Sequence, residues 1–501
     1  MLMKMSISRN SVLATMLAIC WPVAQAQDGN ELQLLDLASR GETAAALELV
    51  GRRTDVNQSR SDGTTALHWA VYYNDEALVR SLIRRDADVH ARNDYGATPL
   101  SQAALTGNPA IIELLLAAGA EVDERTADDQ TALMILARTS NTPALQVLLD
   151  AGADVNAVEQ WRGQTALMWA AAQNQPEAVS MLIDHGADVN ARSRPNDWER
   201  QVTAEPRMKV LPAGGLTPLL YAVREGCTAC TEQLIAAGAD INMADPDGIT
   251  PLVMANLNAH WDSAKLLIEA GAHVDKWDIW GRSPLYSAVD YNTLPHGGRA
   301  DRLSADLSTP VEIIALLLEK GANPNLQLKL FPPYRALGPD RGADQLLRTG
   351  STALFRAARG GDLPVVDLLI SHGANVELPN ENSVTPLIVA AGYRQSAIDT
   401  RGRFRDEAQS YAVTKRLLDA GANPNAVEEF GQTAIFGAAT NGWNSVVQLL
   451  AENGANLQHQ DNGGSTVLDA AMGRAGRFGR GSGGDQHLDT AALIESLLSA
   501  Q

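Results

Sequence analysis

Residues 131–170 read TALMILARTSNTPALQVLLDAGADVNAVEQWRGQTALMWA, and their reading decides the fold. Thr131 followed by Ala and Leu has the form of a helix start, because a threonine hydroxyl caps free backbone N–H groups. A second apolar run, Ala144 to Leu149, repeats at helical spacing. Gly152 then stops it, since the left-handed closing position costs least as glycine. The polar stretch Gly152-Ala-Asp-Val-Asn156, with a later glycine at 163, makes a turn. At Thr165 the pattern starts again. Neither short helix can bury its apolar face alone, so the unit has to stack on copies of itself.

Outward from this stretch the copies are numerous. A Gly-Ala pair after a Leu-rich run stands at 119, 152, 186, 238, 271, 321, 373, 421 and 454. The helix-start signature recurs at Thr65, Thr98, Thr131, Thr165, Thr217, Thr250, Ser283, Thr352, Thr385 and Thr433, in several copies with Pro at the first helical position. Some spacings are 33 or 34 residues and others 48 to 52, one unit plus an insertion.

This pattern resembles the ankyrin repeat over nearly the whole chain. The resemblance implies an all-α repeat solenoid of stacked helix-turn-helix units with finger-like β-turns. It gives eleven units after a degenerate capping repeat at 27–60. Repeats fill 61–193, 215–326 and 350–501. Finger insertions fall at 194–214 and 327–349, and inter-helix insertions at 291–308, 394–409 and 473–487. Asp86 replaces the closing glycine of the first unit, and only His68 keeps the histidine usual after the signature leucine.

Residues 1–26 have the form of a bacterial signal peptide. Lys4 and Arg9 precede the apolar run Ser11–Val23, and Ala24-Gln-Ala26 offers a cleavage site before Gln27. The run is too short for a stable membrane span. A lipoprotein reading of Leu17-Ala-Ile-Cys20 is weakened by Ile19, where a small residue is wanted. The expected location is periplasmic or secreted. The chain of 501 residues carries a formal charge of −19, and losing Lys4 and Arg9 would leave about −21. That balance disfavours nucleic acid, whose phosphates need clustered Lys and Arg. Aromatics make up only 5% of residues, so their placement is informative.

By resemblance, partner contacts concentrate on finger tips and the late first helix. Projected onto this chain, tip positions are Tyr95, Trp161, Arg162, Ile279, Trp280, Arg282 and Phe430. First-helix positions include Tyr72, Tyr73, Arg224 and Arg359. Aromatic and arginine side chains are what binding hot spots prefer; the alternative is that Trp161 or Trp280 packs on a neighbouring finger. Trp69 and Trp169 sit where packing between units is expected. The finger insertions carry Trp198, Phe331 and Tyr334.

The inter-helix insertions share arginines: Arg299 and Arg302, then Arg401, Arg403 and Arg405, then Arg474, Arg477 and Arg480. Stacked on one edge they would form a basic strip for an acidic partner or a weakly held anionic surface; balanced by nearby Asp and Glu, they would be solvated loops. Cys227 and Cys230 form a Cys-x-x-Cys at the start of a second helix. A structural disulfide is the default in an oxidising compartment, and thiol–disulfide redox activity the alternative. No metal or cofactor motif and no catalytic constellation stands out. The expectation is a monomeric, non-enzymatic protein-binding scaffold, with a secreted effector of a host protein as the alternative within that class.

Overall fold

The computed structural model describes residues 33–52, 54–196, 214–293, 306–330, 332, 346–394, 406–474 and 486–500. The expected signal segment 1–26, and Trp198, Phe331 and Tyr334, lie outside them. Every named element among the described residues is a helix, and these form twelve consecutive pairs. The first pair, Gln33–Ser39 and Thr43–Val50, precedes eleven repeats. The chain divides into two compact units, Met1–Arg194 and Pro195–Gln501. The N-terminal unit holds the first pair and repeats 1 to 4; the C-terminal unit holds repeats 5 to 11.

Each repeat is built by the same local chemistry. The first helix starts after a threonine or serine in extended conformation, whose hydroxyl accepts the N–H three residues on in nearly every copy. Removing such a cap costs about 1 kcal/mol. The signature leucine is fully buried in successive repeats: Leu67, Leu100, Leu133, Leu167, Leu219, Leu252, Leu285, Leu354 and Leu387. Each contributes about 1.5–3 kcal/mol of apolar burial. The alanine three residues on (Ala70, Ala103, Ala170, Ala222) is equally buried, and its small size lets neighbouring first helices approach. His68 is buried. Its Nδ1 faces the Thr65 N–H at 3.3 Å and hydroxyl at 2.9 Å, and its Nε2 faces the Ala97 carbonyl of the next repeat at 3.1 Å. Burial pushes its pKa below the usual imidazole value, which favours the neutral ring that can accept and donate at once.

The second helix ends on the glycine of the Gly-Ala pair. At Gly152 φ is +83°, and an added Cβ would meet nothing within 4 Å. Backbone conformation, not space, demands glycine there. In the first repeat Asp86 takes the same left-handed conformation at φ +59°.

Two sets of hydrogen bonds tie repeat to repeat. The first runs through the polar loop after the second helix. Asn156 Nδ2 donates to the Gly186 carbonyl of the next repeat at 3.1 Å, while its Oδ1 accepts the Asp188 N–H at 2.8 Å. Asn57 does the same toward Asp86 and Asp88, and Asn425 toward Gly454 and Asn456. Asn325 reaches Gly373 and Asn375 in this way although 48 residues separate it from the glycine. The second set links finger to finger through the backbone, as in Asp94 N–H to Asp62 O at 2.8 Å and Ile279 N–H to Asp247 O at 2.9 Å.

The ends of the inserted segments are in place. Pro195 and Gly214 pair as an antiparallel bridge at the base of the first finger insertion. The inter-helix insertion of repeat 7 lies between helices Pro284–Asn292 and Pro310–Glu319. In repeat 9 the first helix is cut to Pro386–Ala390 before the chain leaves for its insertion.

Candidate interaction surface

The fingers are closed by one side chain at the turn's start. Asn93 Oδ1 accepts the N–H groups of Tyr95 and Ala97 at 3.1 and 3.0 Å. Asn380 treats Asn382 and Val384 likewise at 3.0 and 3.1 Å, and Asp245 treats Asp247 and Ile249 at 3.0 and 2.8 Å. Asp245 is buried beside Asp247 and Asp278. Burial first, and those carboxylates second, raise its pKa to about 6. The folded state therefore takes up a proton that the unfolded chain, titrating near 3.8, does not. Wild-type stability rises as pH falls from about 6 toward 4, and above pH 6 the ionised form is a burden. Asp245→Asn keeps both turn bonds, as Asn93 and Asn380 demonstrate. It is expected to stabilise the C-terminal unit at pH 7.5 by about 1 kcal/mol, solvent screening having reduced the full shift. Urea unfolding at pH 7.5 and pH 4 checks this: the gain should vanish at the lower pH, and an equal gain at both would refute the assignment.

The finger at 159–164 differs. Glu159 replaces Asn or Asp, and its longer side chain accepts three N–H groups, from Trp161 at 2.6 Å, Arg162 at 2.8 Å and Gln164 at 2.9 Å. The turn is one residue wider, its closing bond running from Glu159 N–H to Gln164 O. Trp161 stands at the tip, 81% exposed, and Arg162 beside it is also exposed.

Around this tip the N-terminal unit presents further apolar surface. Tyr95 on an earlier finger is 60% exposed, and Leu105, late in the helix Pro99–Thr106, is 61% exposed. Tyr73 is also exposed and donates its hydroxyl to the Ser39 carbonyl at 3.0 Å. Its ring stacks on Trp69 at 6.2 Å and meets half-buried Tyr72 edge-on at 5.1 Å. Trp169, also half-buried, packs between repeats, with the Arg138 guanidinium 4.1 Å from its ring centroid. Leu105 and Val158 carry no aromatic or charge signal in the sequence; only their register marks them as exposed.

In the C-terminal unit most of the projected positions, Ile279 excepted, are occupied internally. Trp280 and Arg282 do not reach solvent as expected from the sequence: they are 8% and 7% exposed. Arg282 Nε donates to Asp278 Oδ2 at 2.6 Å, and its guanidinium lies 4.7 Å from the Trp280 ring centroid. The carboxylate four residues before the arginine folds it back onto the finger. Arg359 donates to the carbonyls of Tyr393 and Arg394 at 3.0 and 3.1 Å. Arg224 pairs with Glu225 at 3.0 Å. Phe430 is half-buried with the Arg394 guanidinium 5.4 Å from its ring. Trp277 and Ile279 remain exposed, a smaller apolar pair that includes a tryptophan the projection passed over.

Of the arginine edge only Arg474 is described. It is exposed, and its N–H donates to Asp469 O at 2.8 Å. Arg299, Arg302, Arg401, Arg403, Arg405, Arg477 and Arg480 lie outside the described residues. Cys227 and Cys230 are joined as a disulfide with their Cα atoms 5.2 Å apart, both fully buried. Cys227 Sγ accepts the Cys230 N–H at 3.1 Å, so sulfur stands where Asp75, Asn108 and Asp362 cap the same helix in other repeats.

The family model described as ankyrin repeats in three copies matches residues 34–126, 100–193, 219–328, 312–399 and 407–477. Human transient receptor potential cation channel subfamily A member 1 is 28% identical over 204 residues, which are 37% of this chain and 17% of the channel. Human ankyrin repeat and SOCS box protein 6 is 30% identical over 150 residues, 26% of this chain and 32% of that protein. The putative ankyrin repeat protein YahD of Escherichia coli is 26% identical over 187 residues, 33% of this chain and 86% of that protein. This chain thus spans only a minor part of the first two relatives. Among solved structures, the ankyrin repeat domain of Bcl-3 matches at 25% identity with a TM-score of 0.38, over 45% of this chain and 94% of that domain.

Proposed function

Because this chain belongs to the ankyrin-repeat family, we propose that it is a non-enzymatic scaffold acting outside the cytoplasm, binding a partner protein on the finger and first-helix face of its N-terminal unit. Ankyrin repeats are general protein–protein interaction modules. The observation that carries the choice of face is the bare indole of Trp161, 81% exposed on a finger widened around Glu159. Tyr95, Leu105 and Tyr73 extend apolar surface over the preceding repeats of the same unit. Exposed large apolar groups gathered on one face are a signature of docking, and tryptophan and tyrosine bring contact area at small entropic cost. The export reading rests on the charged start, the apolar run and Ala24-Gln-Ala26; N-terminal sequencing of the chain recovered from its native envelope tests it, and Gln27 is the expected first residue.

Trp161→Ala is expected to weaken binding to a partner captured from that envelope by about thirtyfold. Because the side chain is mostly in solvent, stability should change by less than about 0.5 kcal/mol. Titration of the partner against both proteins, with a thermal melt of each, is the test. Equal affinity for the two would remove this face from the binding site.

Thiol–disulfide exchange through Cys227 and Cys230 is the competing reading. It is disfavoured by burial, since an attacking thiolate has to reach the sulfur and both sulfurs are covered.

A further inference from the structure

Resting on the reading of this face as a docking surface, we propose that its occupant is an extended cationic segment of the partner protein, with Lys or Arg at every third residue. Three carboxylates mark consecutive fingers of the N-terminal unit: Asp62, Asp94 and Asp128. None has an ion-pair partner within 4 Å among the described residues, although arginines stand close by. Those arginines are committed elsewhere. Arg60 faces Asp36 at 3.5 Å and donates to Ser39 at 2.7 Å. Arg92 pairs with Glu124 at 3.1 Å and donates to the Arg125 carbonyl of the following finger. Arg125 pairs with Asp129 at 2.8 Å and reaches the Val158 carbonyl at 2.8 Å. Arg194 donates to the Gln160 carbonyl. Arg138, which feels the charge of Asp128, stacks on Trp169 and donates to Gln130. These arginines are therefore held by other groups; the Asp94 and Asp128 carboxylates are exposed, and half-buried Asp62 also accepts the Thr64 N–H at 3.0 Å.

Spacing then fixes the ligand. Adjacent fingers are joined by backbone, as in Asp94 N–H to Asp62 O, and successive helical layers pack about 8–10 Å apart. A polyproline II segment advances about 3.1 Å per residue and turns once every three residues, so that every third side chain falls on the same face. Three residues therefore carry a segment from one tip to the next, so basic groups at every third position meet Asp62, Asp94 and Asp128 in turn. Tyr95, between the first and last of these, offers a ring to an aliphatic stem or a cation. One repeat further on, the carboxylates give way to Trp161, so an apolar side chain is expected about three residues after the last basic one. Three contiguous basic residues span only about 6 Å, less than one such step, and would meet one tip while leaving the other carboxylates unmatched.

The test uses the full chain and labelled peptides of about twelve residues in fluorescence anisotropy. One peptide carries lysine at every third position and then leucine; its isomer has the same lysines contiguous; a third has glutamate for lysine. The spaced peptide should bind at least tenfold more tightly than its isomer, weaken with salt, and lose about tenfold in the combined Asp62→Asn, Asp94→Asn, Asp128→Asn variant, whose melting curve should match wild type. The glutamate peptide should not bind. Equal binding of the two lysine isomers, or a triple variant as competent as wild type, overturns the proposal. A captured partner sensitive to Trp161→Ala but indifferent to the triple variant would overturn it while the docking face stands. A partner indifferent to both would overturn the face as well.

Discussion

Arg282→Ala is expected to lower the stability of the C-terminal unit by about 3–5 kcal/mol, the usual result of leaving a buried charge without its partner. The Asp278 carboxylate is almost completely buried, and Arg282 Nε meets it at 2.6 Å. Without the guanidinium, Asp278 keeps only the N–H groups of Trp280 and residue 282, at 3.0 and 2.9 Å. It would do so beside Asp245 and Asp247, whose pKa values are raised by burial and by Asp278 itself. The indole of Trp280 loses its cover at the same time. The double variant Arg282→Ala, Asp278→Asn should recover most of the loss, because Asn93 and Asn380 hold the equivalent turn without a charge. Urea unfolding followed by circular dichroism measures both. A single variant within 1 kcal/mol of wild type, or a double no better than the single, would show that the pair is not what holds this finger.

Gly437→Ala should destabilise by about 2 kcal/mol, against what helix propensity alone predicts. Gly437 lies inside the helix Ala434–Thr440 with ordinary helical backbone, where alanine normally gains about 1 kcal/mol. Here an added Cβ would stand 2.6 Å from the Tyr393 nitrogen and 3.0 Å from the Gly392 carbonyl carbon. Those are backbone atoms and cannot swing aside, so overpacking outweighs propensity. The cause lies one repeat earlier: the helix Pro386–Ala390 ends early, and the chain leaving it crosses over Gly437. A lowered melting temperature, with faster amide exchange in residues 386–393, is the expected signature. A raised melting temperature would mean that the crossing relaxes at little cost.

Much of the fold was legible because the repeat states it many times. Threonine caps, buried signature leucines and closing glycines each sit where their chemistry requires, and the inserted segments interrupt that count without obscuring it. The surface was legible only in part. Trp161 stood out as a rare aromatic at a tip, and it is exposed. Trp280 carries the same signal in the sequence, yet the two fingers part over one residue: Glu159 spans a turn widened by an extra position, whereas Asp278 closes a tight turn and captures Arg282. The Asp278 and Arg282 spacing of four was readable as an ion pair; that the tryptophan would be trapped beneath it was not, because that depends on the following finger, whose Lys329 and Leu330 N–H groups bond the Trp280 carbonyl. Leu105 was missed because a leucine in an apolar helix looks like core unless its register against neighbouring repeats is known.

The asparagine contacts after the second helices bear on how such a chain can grow. Asn325 grips Gly373 just as Asn156 grips Gly186, although the first span is 48 residues and the second 30. The seam reads only the adjoining glycine carbonyl and the N–H two residues beyond it, and is blind to how much sequence intervenes. A duplicated or deleted repeat that carries its own asparagine and glycine would find the same partner waiting on either side. Loops at the fingers and between helices can therefore lengthen without disturbing these joints.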